Sequence, residues 1–218
     1  PAPGASVDDQ LATVSACNAP AQSCDAFIHG TIPAGQTIMI IASWGGSTTT
    51  ATINDSVNTY TTISGPMNAA VGPNRGQVWL VNPSAGGVTH VAINLSAPSS
   101  GAEIQIWVIP MQGIAATSPV DANVTHITTG TGTAMSTGNS GLASTAANEL
   151  IWGIFLEDNY STPYTSASGY TNFSGQEAVS LLEYKNVTQT GIQSATGTNG
   201  VGANNWIGKN FIADTINF

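Results

Sequence analysis

The stretch EIQIWVIP at residues 103–110 alternates between two faces with the period of a β-strand. Ile104, Ile106 and Val108 share one face of this strand. Glu103, Gln105 and Trp107 share the other. A row directed at solvent has no need of the largest apolar side chain. The neighbouring strands must therefore explain why Trp107 lies in that row.

Two similar stretches come before it, GQVWLVN at 76–82 and VTHVAINLS at 88–96. The turn-rich segments PSAGG and APSSG connect the three stretches, which predicts consecutive antiparallel strands closed as hairpins. In the simplest register, one face carries three rows: Trp79–His90–Trp107, Gln77–Ala92–Gln105 and Arg75–Asn94–Glu103. Three interpretations of that face stay open: a covered core, a protein interface, or a saccharide-binding surface.

The rest of the chain is made of short apolar runs separated by turn residues, without a sustained helical period. TIMIIASW at 37–44 and ELIWGIFLE at 149–157 are typical of strands buried on both faces. This pattern predicts an all-β chain folded as a single antiparallel, jelly-roll-like sandwich over residues 25–218. Residues 1–24 are expected to form an N-terminal extension.

Cys17 and Cys24 are the two cysteines of the chain, and we expect them to form a disulfide. A disulfide indicates an oxidising compartment, so a secreted, extracellular or cell-surface location is predicted. A second Cys or His pair at ligand spacing is missing from the sequence, so neither a metal nor a cofactor is expected.

Charged residues are scarce, at 7% of the chain against roughly 25% in an ordinary soluble protein. Three basic residues face twelve acidic ones, for a net charge of −9. Nucleic acid is excluded as an expected partner, because its phosphates require Lys and Arg. The sequence lacks a run of about 18 apolar residues, so membrane insertion is not expected either.

Several short motifs accompany the early cysteine pair. They are an Ala34-Gly35 turn before a strand that ends in Trp44, the segment DSVNTY at 55–60, and AANEL at 146–150. In these motifs the chain loosely resembles secreted bacterial β-sandwich surface modules of jelly-roll type. The resemblance covers most of the chain and implies fold and secretion. It implies no chemistry, because this class has no settled activity.

Three functions follow as expectations. The first is a non-catalytic structural or adhesive protein, a subunit of a surface filament or layer that associates with itself or with a surface partner. In that case Val7, Leu11 and Val14 of the extension are expected to pack on a neighbouring subunit as a donor strand. The second is a polysaccharide-binding module that uses Trp79 and Trp107. The third is a hydrolase using late carboxylates, drawn from Glu149, Glu157, Asp158, Glu177 and Glu183.

Overall fold

A computed structural model describes residues 4–69, 74–121, 126–157, 163–173, 180–200 and 205–214, the last range from position 208 as main chain only. The described residues form antiparallel strands and contain no helix. The strands are β1 (Ser6–Val7), β2 (Thr13–Cys17), β3 (Ser23–Ile32), β4 (Thr37–Gly45), β5 (Ala51–Asn54), β6 (Thr61–Asn68), β7 (Asn74–Val81), β8 (Val88–Leu95), β9 (Ile104–Gln112), β10 (His126–Thr131), β11 (Ala134–Ser136), β12 (Glu149–Glu157), β13 (Thr165–Ser166), β14 (Thr171–Asn172), β15 (Ser180–Val187), β16 (Thr196–Thr198) and β17 (Asn205–Asp214).

The chain divides into two compact units. The N-terminal unit comprises Val7–Asn68 and Pro73–Gln112, and the C-terminal unit comprises Pro1–Ser6, Ala69–Gly72 and Gly113–Phe218. The expectation of a 1–24 extension followed by one domain at 25–218 divides the chain differently and stays a prediction.

The N-terminal unit contains a six-stranded sheet with the order β1-β9-β4-β7-β6, in which β2 also pairs with β9. A second sheet has the order β3-β8-β5. Both sheets contribute side chains to one hydrophobic core, including Ile40 and Val108 from the first and Val91 and Ile93 from the second. We call these the inner sheet and the outer sheet.

Burial patterns explain which strands share a sheet. β4, β7 and β9 are buried on nearly every residue, so both of their faces must be covered. β3 and β8 alternate between buried and exposed positions over most of their length, so one face of each meets solvent. The strands that need cover on both faces therefore lie side by side in one sheet, and β3 and β8, which need it on one face, pair in the other.

The expected hairpins do not form, and the prediction of three consecutive paired strands is wrong. β7 and β9 both pair with the intervening β4, while β8 pairs with β3 and β5 in the other sheet. The connections from β7 to β8 and from β8 to β9 therefore cross from one sheet to the other. The three predicted rows are absent, because their members never become neighbours on one face.

Turn packing shows why the chain crosses at the PSAGG segment. Ser84 exchanges backbone hydrogen bonds with the turn before β4, since Gly35 N–H donates to Ser84 O at 3.0 Å and Ser84 N–H donates to Gln36 O at 2.8 Å. Gly86 has a φ of 79°, and a Cβ there would lie 2.4 Å from the Ala34 nitrogen. The segment is thus tied to the β3–β4 turn, which prevents a local hairpin.

The Cys17–Cys24 disulfide is present, as expected, and joins β2 of the inner sheet to β3 of the outer sheet. β2 pairs antiparallel with β9 of the same chain, with Val14 opposite Trp107. Leu11 packs against the core of the N-terminal unit. The main chain of this segment is already paired within its own sheet, so donation to a second copy would require β2 to leave β9; that hypothesis stays a prediction.

The C-terminal unit has a five-stranded sheet with the order β10-β17-β12-β15-β14 and a three-stranded sheet with the order β11-β16-β13. β12 lies in the middle and is buried along its whole length. Its core cluster includes Met135, Phe155, Leu181, Ala195 and Trp206. This confirms the prediction of a buried strand at 149–157.

The structure confirms an all-β chain with antiparallel sheets and one disulfide. The single jelly-roll-like sandwich stays a prediction, because the strands form four separate sheets and none of these closes on itself.

Because the disulfide joins strands of two different sheets, its loss is expected to destabilise the N-terminal unit. Replacing both cysteines by Ser should lower the free energy of unfolding by about 2–3 kcal/mol, the loop-closure entropy of so short a loop. Urea unfolding measures this difference. Titration of two free thiols in the denatured, unreduced wild-type protein would contradict the assignment.

Gly153 in β12 leaves no room for a side chain. A Cβ there would lie 2.4 Å from the Ala195 Cβ and 3.0 Å from the Glu183 carboxylate. Gly153→Ala is expected to lower the free energy of unfolding by about 1–3 kcal/mol through overpacking. Gly141→Ala in the same unit, where nothing lies within 4 Å, is the matched control and should change stability by less than about 0.5 kcal/mol. Equal thermal melts for the two variants would refute the packing argument.

Candidate functional site

The predicted residues on β7 lie on the side of the inner sheet that faces the core. Trp79 is 4% exposed and stacks on Trp44, with ring centroids 6.4 Å apart. Arg75 is buried and donates through Nη1 to Thr49 O at 2.7 Å. Gln77 is also buried and donates to Thr62 Oγ1 at 3.2 Å. These three side chains hold the inner sheet together and do not form an exposed row.

Trp107 and Gln105 lie on the opposite face of the same sheet. The register places Trp79 beside Ile40 and Trp107 beside Ile41, and adjacent residues of a strand point to opposite faces. Trp107 is 0% exposed and Gln105 is buried as well. Of the three interpretations of the tryptophan face, the covered one therefore describes the geometry. Glu103 precedes β9 and is half-buried.

His90 and Asn94 are the predicted site residues that do reach the surface of the outer sheet. The face of this sheet directed away from the core, here called the outer face, has three cross-strand rows: Phe27–His90, Asp25–Ala92–Asn54 and Ser23–Asn94–Thr52. Within that set, Ser23, Asp25, Thr52, Asn54 and Asn94 are exposed, and His90 and Ala92 are half-buried.

Phe27 is the residue that the sequence interpretation missed. It is 68% exposed and stacks on the His90 ring, with centroids 6.1 Å apart and planes 28° apart. The signal was present in SCDAFIHG, because Cys24, Ala26 and Ile28 alternate with Ser23, Asp25 and Phe27. Phe27, and not Trp107, is therefore the large aromatic side chain that lies in a row directed at solvent.

The outer face can supply two kinds of contact. The Phe27–His90 pair offers an apolar, partly aromatic surface, and Asn54 and Asn94 each carry an amide that donates and accepts hydrogen bonds. Asp25 is the one carboxylate in these rows. The face is the open surface of a sheet, so it suits an extended partner better than a small enclosed ligand.

The DSVNTY segment at 55–60 is a polar turn organised by one buried carboxylate. Asp55 accepts hydrogen bonds from the Val57 and Asn58 amides, from Asn58 Nδ2 and from the Tyr60 hydroxyl, at 2.7–2.9 Å. Burial alone would raise the pKa of Asp55, but the bonds from Asn58, Val57 and Tyr60 together lower it. Burial and the adjacent Asp55 charge raise the pKa of Tyr60, so its hydroxyl stays a donor.

The three late carboxylates that the structure describes, Glu149, Glu157 and Glu183, do not assemble into a catalytic pair. Glu149 and Glu157 stand at the two ends of β12, and Glu183 faces Gly153 midway between them. Four residues of strand separate Glu183 from either end, roughly 13 Å at about 3.3 Å per residue. Glycoside hydrolysis requires carboxyl groups about 5–9.5 Å apart. Asp158 and Glu177 lie outside the described residues.

Glu149 is paired instead with Asp121, a residue that the sequence did not single out. Both side chains are buried, and the loop before β12 binds them. The Ala146 amide donates to Glu149 at 3.2 Å, and the Thr145 hydroxyl donates to Asp121 at 3.0 Å. Burial raises the pKa of Glu149 to about 7; Ser144 and the Ala146 amide oppose the rise, and the Asp121 carboxyl adds to it.

Glu183 is the second buried carboxylate of this unit. It accepts from the Ala167 amide at 3.0 Å, and burial raises its pKa to about 7, against the lowering effects of Ser166, Ala167 and the Lys185 charge. Lys185 lies over the Tyr170 ring at 4.4 Å, and the Tyr170 hydroxyl donates to Ser194 O at 2.8 Å. These contacts tie β15 to the three-stranded sheet and its loops.

Neither a metal centre nor a membrane span is found in the described part of the chain. Clusters of three or more His, Cys, Asp or Glu side chains able to hold a metal ion do not occur there. The same residues include no helix of the length and apolarity needed to cross a membrane.

The raised pKa of Glu149 predicts how stability changes with pH. In the folded state Glu149 keeps its proton up to about pH 7, while in the unfolded chain it ionises near pH 4.5. The contribution of Glu149 to the free energy of unfolding is therefore complete below pH 4.5 and is lost as the pH rises through 7. Gln does not ionise. Between pH 4.5 and a pH above 7, the free energy of unfolding should therefore fall by about 1–3 kcal/mol less in Glu149→Gln than in wild type. Urea unfolding between about pH 4 and pH 8 measures it. Glu103→Gln controls for charge, and parallel pH profiles for wild type and Glu149→Gln would contradict the expectation.

No protein-family model matches the chain, and neither a curated protein nor a solved structure matches it. The resemblance to secreted surface modules therefore rests on the sequence motifs alone. A functional proposal for the chain must therefore be argued from the side chains of the outer face.

Proposed function

We propose that the chain is a non-catalytic extracellular protein that attaches to a partner through the outer face. The observation that carries the proposal is Phe27, a large apolar side chain that is 68% exposed and held in place by stacking on His90. Aromatic anchors of this kind contribute much of the energy of protein contacts, and charged residues are depleted around them.

The composition and disulfide support an extracellular setting. A disulfide persists in oxidising compartments. With 7% charged residues, most of the surface is hydroxyl, amide and small apolar groups, which gives no electrostatic attraction for nucleic acid or an anionic membrane. The two sheets that share one core in the N-terminal unit support a β-sandwich module as its architecture. These properties support a structural or adhesive role, as a subunit of a filament or surface layer.

A polysaccharide is the second candidate partner, and a specific observation favours it. The Phe27–His90 pair is flanked on the same face by Asn54, Asn94 and Thr52, whose side chains can hold sugar hydroxyls while the ring contacts the apolar side of a sugar. An open sheet surface of this kind suits a long or insoluble chain. Self-association and polysaccharide binding use the same anchor, so one set of variants tests both.

Phe27→Ala is expected to abolish partner binding with little effect on folding. An exposed ring contributes little to the core, so the free energy of unfolding should change by less than about 0.5 kcal/mol. Trp107→Ala should do the opposite and cost about 3–5 kcal/mol, because that indole is fully buried. Pull-down on insoluble polysaccharides and sedimentation for assembly, beside thermal melts, provide the measurements.

Leu142→Ala is the matched control for the loss of an exposed apolar side chain, since Leu142 is 60% exposed and lies in the C-terminal unit. Loss of sedimentation in Phe27→Ala alone supports self-assembly. Loss of pull-down alone supports a polysaccharide. A Phe27→Ala protein that assembles and binds as wild type does would refute the role of the outer face.

A further inference from the structure

A groove opens in the N-terminal unit between β5, the DSVNTY turn and β6. It has a volume of about 380 Å³, and Trp79 of β7 contributes to its lining. The remaining lining residues are Ala51, Thr52, Ile53, Asn58, Thr59, Tyr60 and Thr62. Three threonine hydroxyls, one amide and two aromatic rings thus surround a space at the lower end of the size range of small-molecule sites.

The walls of this groove are fixed before any ligand arrives. Asp55 holds both Asn58 Nδ2 and the Tyr60 hydroxyl, at 2.7 and 2.8 Å. Asn58 Oδ1 accepts from the Ala85 amide at 2.7 Å, so each end of that side chain has a partner. Trp79 is held by its stack on Trp44. A rigid wall reduces the ordering entropy that binding would otherwise cost.

The groove keeps hydrogen-bonding capacity despite these contacts. Thr62 Oγ1 accepts from Gln77, so its hydroxyl proton and one lone pair stay available. Thr52 Oγ1 makes a long donor contact of 3.4 Å with Asn94 O and keeps its acceptor sites. Thr59 is exposed at the surface of the groove. Hydroxyls that both donate and accept match the hydroxyl groups of a sugar.

The charge and the aromatic rings of the groove restrict the class of ligand further. None of the groove-lining residues is charged, and the nearby Asp55 carboxylate is occupied by its own four hydrogen bonds. A phosphorylated or otherwise strongly charged ligand would leave its charge unpaired there. The half-buried Tyr60 instead offers apolar ring surface beside the hydroxyls, and the buried Trp79 closes the groove behind it. Apolar surface beside hydroxyls suits the alternating apolar and polar sides of a sugar ring.

We propose that this groove is a subsite for one residue of a neutral saccharide. Tyr60 contacts the apolar side of the sugar ring, Trp79 closes the groove on its core side, and Thr52, Thr59 and Thr62 bind the sugar hydroxyls. Phe27 and His90 are not part of the lining, and Thr52 is the one residue shared with the outer face as defined by the described strands. A change at Phe27 therefore tests partner binding at the outer face without altering the lining of the subsite.

The test is a nuclear magnetic resonance titration of the full chain with cellohexaose, mannohexaose, galactohexaose and chitohexaose, each probed separately. At least one of them should shift the backbone amide signals of 51–53, 58–62 and Trp79. Thr59→Trp places a bulky ring in the groove from an exposed position and should weaken that binding about tenfold or more, which is about 1.4 kcal/mol.

Thr48→Trp is the matched control, since Thr48 is exposed in the same unit and does not line the groove, and it should bind as wild type does. Thr62→Val is a second variant that removes one hydroxyl and keeps the shape, and it should also weaken binding. Phe27→Ala should leave the titration unchanged, which separates the subsite from the outer face. The proposal is overturned if none of the four probes shifts these signals, if Thr59→Trp binds normally, or if an oligogalacturonate binds there more tightly than the neutral probes.

Discussion

The burial of both faces of β4 is the constraint on which the N-terminal unit depends. A strand without a solvent face must satisfy its backbone groups through neighbours on each side, because an unpaired buried amide or carbonyl is costly. β7 and β9, which are themselves buried on both faces, meet that need. Their pairing with β4 sends Trp79 to one face and Trp107 to the other, so the two indoles cannot act together on a shared surface.

The outer sheet follows from the same constraint. β3 and β8 alternate between buried and solvent-side residues along their paired segments, and most of the solvent-side residues are polar, so one face of each can meet water. The core side of this sheet covers one face of β4 and its neighbours, as their common core shows. The solvent side then carries Phe27 beside His90, an exposed aromatic pair that the core does not require. The proposed contact surface therefore belongs to the sheet with the less apolar strands.

The C-terminal unit shows how a chain with few charges uses its carboxylates. β12 is buried throughout, yet it begins with Glu149 and ends with Glu157. Glu149 accepts from the segment just before β12, and Glu157 accepts from Asn199, which follows β16. In the AANEL motif, Glu149 accepts from the amide of Ala146, so the motif has a structural explanation. Buried carboxyl groups such as Glu149 and Glu183 hold their protons to a higher pH than exposed ones, which favours folding in acid.

The sequence by itself determined the all-β class, the disulfide and the buried strands at 37–44 and 149–157, because alternation, turn residues and unbroken apolar runs are local properties. It even contained the alternation that exposes Phe27. Only the tertiary structure decided which strands pair. The segment at 83–87 has the turn residues of a hairpin, but its backbone bonds go to residues 32–36, and a choice between two such partners depends on contacts distant in sequence. Strand order in turn fixes which side chains share a face. The outer face and the groove at Trp79 therefore could not be predicted from the local pattern of the sequence.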